Sequence, residues 1–510
     1  METQHLVGVG HTLQTLAFAA IIFAGLWILP RLNLEAQIRR LPAYIYEGDK
    51  QSKRSTYETS AKKLYADGYQ KFKDRVWRIS GTEKLDTIVI PAKFLPEVRT
   101  LPDSVLSFPK AIEEFLFSKY TKVDTDEPIS AHVVKADLTP ALARLNPIID
   151  AEVKQAMEEE MPPCEDWTPV YIYMKIVNAV AKVSGRIFVG PDLCRNKDYL
   201  DAAINYTLDL FSAQRKIQKM NPWLRPFLAP RLPEIKKLDQ HRLKARAILE
   251  PVVRARRAAE KTDPDYKKPE DMLQWLMNRS SDHDRDTVEQ IAMLQLSLTF
   301  AAIHTTSLTA TNIFFTLAAD TASIAPLREE IRRVTAENGG IMTYRALQQM
   351  EKLDSYMKEV MRFYPLGLTS FTRKVVRGFT LSNGQYLPAG ANIEIPSHAI
   401  YNDSNNYENP DTFDGFRSYK LRQQGGATNH ARNQFVTTNE QNLLFGYGRH
   451  ACPGRFFAAN EIKMILARTV LEYDFRNADG SQTRYANVYQ GRTASPDAAK
   501  QLEFRKVVTA

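Results

Sequence analysis

The stretch Phe445-Gly-Tyr-Gly-Arg-His-Ala-Cys-Pro-Gly454 decides how this chain is read. Gly446, Gly448 and Gly454 let the backbone adopt conformations closed to other residues and approach a flat partner closely. Cys452 stands just before an expected helix, with Pro453 suited to its first position. A helix N-terminus favours a thiolate, and Arg449 and His450 add positive charge nearby. A lone cysteine is most often a small buried hydrophobe. A thiolate on a glycine-lined surface is instead what haem iron needs for axial sulfur ligation.

This stretch resembles the haem-binding signature of the cytochrome P-450 superfamily: Phe, two residues, Gly, one residue, Arg, one residue, Cys, one residue, Gly. Phe445, Gly448, Cys452 and Gly454 match it. His450 stands where the family usually has an arginine paired with a haem propionate; as a donor its charge depends on pH. The wording around Cys452 is similar to that of filamentous-fungal members.

Upstream motifs follow in the family's order. Glu359 and Arg362 fit its Glu-x-x-Arg pair, three apart on one helical face. They precede Phe363-Tyr364-Pro365, and Arg417, in Asn409–Arg417, is the expected third member of a structural ion network. Ala301-Ala302-Ile303-His304-Thr305-Thr306 resembles the oxygen-activation motif. The resemblance implies that small residues leave room for O₂ and that Thr305, with Thr306 beside it, relays protons. His304 replaces the family's acid; it is either a core histidine or part of proton delivery. Arg373 is expected on a haem propionate. Lys135 sits where the family has a second propionate cation, or is simply solvated. Ile303, Leu366, Leu368 and Thr369 are expected to line the substrate pocket.

Working outward, TVEQIAMLQLSLTFAAIHTTSLTATNIFFTLA, to about Ala318, reads as a long helix apolar on nearly all sides, hence buried. Helices are expected at about 323–337 and 353–364, and a last one from about Pro453. LSNGQYLPAGANIEI reads as short strands and turns around Asn383-Gly384. The fold class is therefore mainly α with a small β-sheet, and the resemblance implies a single haem domain of cytochrome P-450 type over 61–510.

Composition agrees. With 44% apolar and 25% charged residues, disorder is excluded. Three widely spaced cysteines exclude a disulfide scaffold and lack zinc-ligand spacing. The net charge of +9 suits a nucleic acid, an anionic membrane or an acidic docking partner; with the resemblance, no nucleic-acid partner is expected.

Leu16–Leu29, LAFAAIIFAGLWIL, has no polar residue, and extending it to 12–30 approaches the ~20 residues a bilayer requires. No Lys or Arg precedes Arg31, and eight lie between Arg31 and Lys63. The expected layout is a lumenal tail (1–11), a transmembrane anchor (12–30), a basic linker (31–60) and a cytosolic body on a single-pass endoplasmic reticulum protein. The proline-rich stretch 221–233, with Trp223, Leu224, Phe227 and Leu228, is expected to touch the same bilayer.

The resemblance implies one haem b (iron protoporphyrin IX) and monooxygenation of a hydrophobic small molecule. Electrons would come from an NADPH-cytochrome reductase. The wording around His304 points to isoprenoid-derived secondary metabolites. Desaturation, rearrangement or isomerisation by the same haem-thiolate remains open, as does a non-catalytic haem carrier in the membrane.

Overall fold

The computed structural model describes residues 14–507 except 17, 49, 83 and 84. The expected lumenal tail and the first two anchor residues lie outside the described residues. Thr287 accepts a hydrogen bond from the Gln290 backbone N–H (3.1 Å), while the Gln290 side chain accepts from the Thr287 N–H (3.1 Å). This reciprocal cap satisfies two donors that a helix start leaves unpaired. It begins the helix Val288–Ala319, buried along most of its length. Six helices pack on it: Ile172–Phe188, Lys197–Lys219, Pro233–Thr262, Met272–Arg279, Glu351–Phe363 and Arg455–Glu472. Their apolar faces merge into one large core.

A six-stranded mixed sheet stands to one side. Its order is Ala43–Tyr44, Trp77–Ile79, Thr87–Val89, Asn392–Ile395, Ser370–Val375 and Leu106–Ser107. The last three run antiparallel to one another, Asn392–Ile395 pairs parallel with Thr87–Val89, and a second apolar core lies against them. A three-stranded sheet (Tyr473–Asn477, Leu502–Lys506, Thr168–Val170) closes the C-terminal end. The turn expected at Asn383-Gly384 joins Phe379–Thr380 to Tyr386–Leu387, with Gly384 at φ 82°. The fold is thus mainly helical with small sheets.

Residues 31–60 are not a linker. They form the helix Leu29–Arg39, the edge strand Ala43–Tyr44 and the first half of the helix Lys50–Phe72. Ile38, Leu41 and Tyr57 are buried. The basic residues that suggested a linker largely occupy the outer faces of these helices.

Leu16, Phe18, Ile21, Ile22, Phe23 and Leu26 are exposed on helical turns that continue through a π-helical stretch (Ala24–Ile28). Among the described helices, only Val288–Ala319 is long and apolar enough to cross a membrane, and it lies mostly inside the body. The apolar helix Gln14–Phe23 is shorter.

Candidate active site

The segment before Cys452 folds back on itself. The Cys452 N–H donates to the Phe445 carbonyl (2.7 Å), and Gly446 N–H to Leu443 O (3.0 Å). Gly446 and Gly448 take φ of 71° and 75°, the left-handed region that favours glycine. At Gly448 a Cβ would also come within 2.9 Å of the Arg99 side chain. The following helix starts at Arg455 with Gly454 at its N-cap, so Pro453 precedes the helix rather than opening it. Cys452 is partly exposed. Burial pushes its thiol up, while the backbone N–H groups of Gly454 and Arg455 and the Arg455 charge pull the other way. Phe445 packs edge-on against Phe435 (5.2 Å) and flanks the loop.

The long helix is buried except along one stripe. Ala301 and Thr305, four apart, are exposed in mid-helix, and Ala302 and Leu308 beside them are half-buried. Thr305 Oγ1 donates to Ala301 O (2.8 Å), a bond that holds the hydroxyl against the helix. This is open space where a protein core would be filled.

His304 points elsewhere, which corrects its expected catalytic role. Its Nε2 meets Ile204 O (2.9 Å) and its Nδ1 meets the Tyr173 hydroxyl (3.0 Å). A carbonyl only accepts, so Nε2 carries the proton and Nδ1 accepts from Tyr173. Burial lowers the His304 pKa, and the Ile204 carbonyl opposes that shift. Both ring nitrogens are satisfied by Tyr173 and Ile204, away from the exposed stripe: this is a core histidine. Thr306 is buried as well.

Two expected pocket residues also fail. Ile303 is fully buried in the helical core, and Leu368 is buried against Tyr57, Tyr65 and Trp77. Leu366 and Thr369 are half-buried.

Arg373 is only 4% exposed. Its guanidinium lies between the rings of Phe371 (4.1 Å) and Phe108 (5.0 Å) and donates to Thr372 O (2.8 Å). It has no carboxylate ion-pair partner among the described residues, and burial lowers its pKa to about 10. Asp103, the carboxylate that pulls the other way, makes no ion pair with it, and a buried cation so weakly balanced calls for an anion. His450, beside Phe108, is held by Asp103 (2.8 Å), a partner the sequence reading missed. It is therefore already engaged by a carboxylate rather than free for a propionate. Asp103 lies 347 residues away in sequence, and no local signal marks it. Lys135 is exposed on a π turn (Val134–Leu138) and has no ion-pair partner among the described residues.

Behind the cysteine loop, Arg362 grips Glu359 through two hydrogen bonds (3.0 and 2.9 Å). Arg417 Nε donates to the same carboxylate (3.2 Å), and Arg362 also donates to Tyr401 O (2.6 Å). Glu359 and Arg362 are both buried, so each charge is stable only because the others are present.

A cysteine sulfur on an open loop, a stripe of small side chains and a buried, anion-seeking arginine fit an iron porphyrin with its propionates. The comparisons agree. The family profile described as Cytochrome P450 matches residues 115–494. The chain is 38% identical over 427 residues to cytochrome P450 monooxygenase ATR3 of Stachybotrys chlorohalonatus, covering 83% of this chain and 89% of that one. To cytochrome P450 monooxygenase TES1 of Alternaria alternata it is 37% identical over 496 residues, covering 96% and 93%. A solved structure, retinoic acid-bound cyanobacterial CYP120A1, shares the fold with a TM-score of 0.64 at 18% identity, covering 88% of this chain and 95% of that one. The fold and site thus define a haem-thiolate oxygenase. The chain belongs to the cytochrome P450 family and is a P450 monooxygenase.

Proposed function

We propose that Cys452 holds haem b and that the protein oxidises a large apolar isoprenoid-derived metabolite with O₂ and electrons relayed from NADPH by a membrane-bound flavoprotein reductase. The single observation that carries the reading is the partly exposed Cys452 sulfur in a protein whose long helix leaves Ala301 and Thr305 uncovered. A haem with a thiolate ligand supplies oxygen activation and favours O–O cleavage. The chain's own residues do the rest. Gly446 and Gly448 let the loop fold back so that the Cys452 N–H reaches the Phe445 carbonyl. Thr305 supplies a hydroxyl that can pass a proton at Oγ1 while staying anchored to Ala301 O. Arg373 neutralises a propionate, and the Glu359–Arg362–Arg417 cluster keeps the wall behind the loop rigid.

The substrate class rests on Phe300-Ala-Ala-Ile-His-Thr-Thr-Ser307, which is similar to fungal ent-kaurene-oxidase-type wording. Leu366 and Thr369, both half-buried, would line the substrate pocket. Anchoring at the endoplasmic reticulum is supported by the exposed apolar turns from Leu16 and by exposed Trp223 and Phe227.

The reduced, carbon monoxide-bound protein tests the core of this reading. A strongly red-shifted Soret band is expected, and Cys452→Ser should abolish it while the fold survives. A band at the position typical of nitrogen ligation would refute thiolate ligation by Cys452. Feeding isoprenoid scaffolds to expressing cells then tests the substrate class, with a mass gain of one oxygen as the expected outcome.

A further inference from the structure

Strand Ser370–Val375 carries one residue more than its partner. Ser370 stands opposite Ile395 and Arg373 opposite Ile393, so three steps on one strand match two on the other. This is a β-bulge, which unpairs one residue and re-aims those that follow. Phe371, inside it, has φ of 54°. A bulky residue is rarely found in that left-handed region and pays a conformational cost there.

The extra residue decides which way Arg373 faces. Before the bulge, Thr369 sends its hydroxyl to Glu394 (3.1 Å), on the face where Glu394 also meets Tyr65 and Arg492. After it, Arg373 lies opposite Ile393, on the face of the cluster containing Phe371, Val375 and Leu443. Side chains alternate along a strand, so a one-residue change of register reverses the face of everything beyond it. In regular register Thr372 would stand opposite Ile393. Arg373 would then point towards Glu394, which already has the Arg492 guanidinium at 2.6 Å. The bulge also brings the Phe371 ring to 4.1 Å from the guanidinium. Ser370, at its start, donates to Leu443 O (3.0 Å) and ties the strand to the segment leading into the cysteine loop.

We propose that Phe371 is a positioning residue: its left-handed backbone builds the bulge that presents Arg373 to a carboxylate of the cofactor. The inference rests on the haem reading above. It separates two roles of Phe371, backbone conformation and ring contact. Glycine keeps the first and loses the second; valine, β-branched, opposes the first.

The readout is the rate at which the full-length holoprotein gives up haem to excess apomyoglobin, with thermal melting as the control for folding. Phe371→Val should release haem about tenfold faster than the parent, whereas Phe371→Gly should stay within about threefold. In an Arg373→Gln background, Phe371→Val should add less than about twofold, because the arginine it positions is gone. Equal acceleration by Val and Gly would overturn the backbone role. An undiminished Phe371→Val effect without Arg373 would overturn the link to that residue. A parent protein that folds but holds no haem would instead refute the cofactor reading on which the inference stands.

Discussion

His304 and Thr305 are adjacent in sequence, about 100° apart around the helix, and meet different surroundings. Thr305 lies on the open stripe, while His304 bridges the Tyr173 hydroxyl and the Ile204 carbonyl. Replacing His304 with Leu strands two buried polar groups, each worth about 1–3 kcal/mol. We therefore expect His304→Leu to lower unfolding stability by roughly 2 kcal/mol while the peroxide released per NADPH consumed stays at the parent value. Thr305→Ala should do the reverse, leaving stability near the parent and raising peroxide release. A rise in peroxide with His304→Leu would return the imidazole to the proton route. The contacts of Glu359 with Arg362 and Arg417 were legible in the sequence because their residues sit in short motifs of fixed spacing. The orientation of His304, Ile303 and Leu368 was not. Which side of a buried element a residue faces is set by distant partners, here 131 and 100 residues away for His304.

The helix Arg455–Glu472 continues directly from the cysteine loop and hides a carboxyl group. Glu461 is fully buried, and its side-chain partner is the Ser184 hydroxyl (3.0 Å), which has only one proton to give. Burial pushes Glu461 up to about 8, partly opposed by Ser184. The folded state thus holds a proton that the unfolded chain releases at an ordinary carboxylate pKa. Stability from this group is complete below about pH 4.5, erodes as pH rises, and is lost once pH passes about 8. Glu461→Gln mimics the protonated form. It should match the parent near pH 4.5 and exceed it by about 2–4 kcal/mol above pH 8 in urea unfolding. A gain independent of pH would refute the protonated assignment. The helix Lys50–Phe72 shows what limits sequence reading at this scale. Tyr57, Ala61, Leu64 and Tyr65 form one buried stripe at helical spacing. A boundary drawn at residue 60 cuts that stripe in two, which is why the folded segment before it reads as a linker. The strand Ser370–Val375 misleads differently: its burial alternates like a regular strand, and the bulge shows only in its pairing with Asn392–Ile395.

Among the described residues, two clusters of large apolar side chains lie exposed close together in sequence. One is the N-terminal helical run with Leu16, Phe18 and Leu26 exposed. The other is the 221–233 segment, where Trp223 is 74% and Phe227 65% exposed on either side of Arg225. Arg225 itself turns back onto the Phe117 ring (4.8 Å), leaving the apolar side chains outermost. Trp and Phe flanked by arginine suit the interface between headgroups and acyl chains, and a net charge of +9 adds attraction to anionic lipid. If both surfaces meet one bilayer, they should contribute separately. The chain lacking residues 1–30 should still float in part with vesicles containing anionic lipid, and adding Trp223→Ser and Phe227→Ser should leave it in the soluble fraction. The same two substitutions in the full-length chain should not release it, because the N-terminal run still holds. Raising salt should weaken the truncated chain's binding and spare the full-length chain's, since charge attraction is screened and apolar insertion is not. Complete loss of vesicle binding on truncation alone would mean that the 221–233 surface does not engage the bilayer, and its exposed Trp and Phe would need another partner.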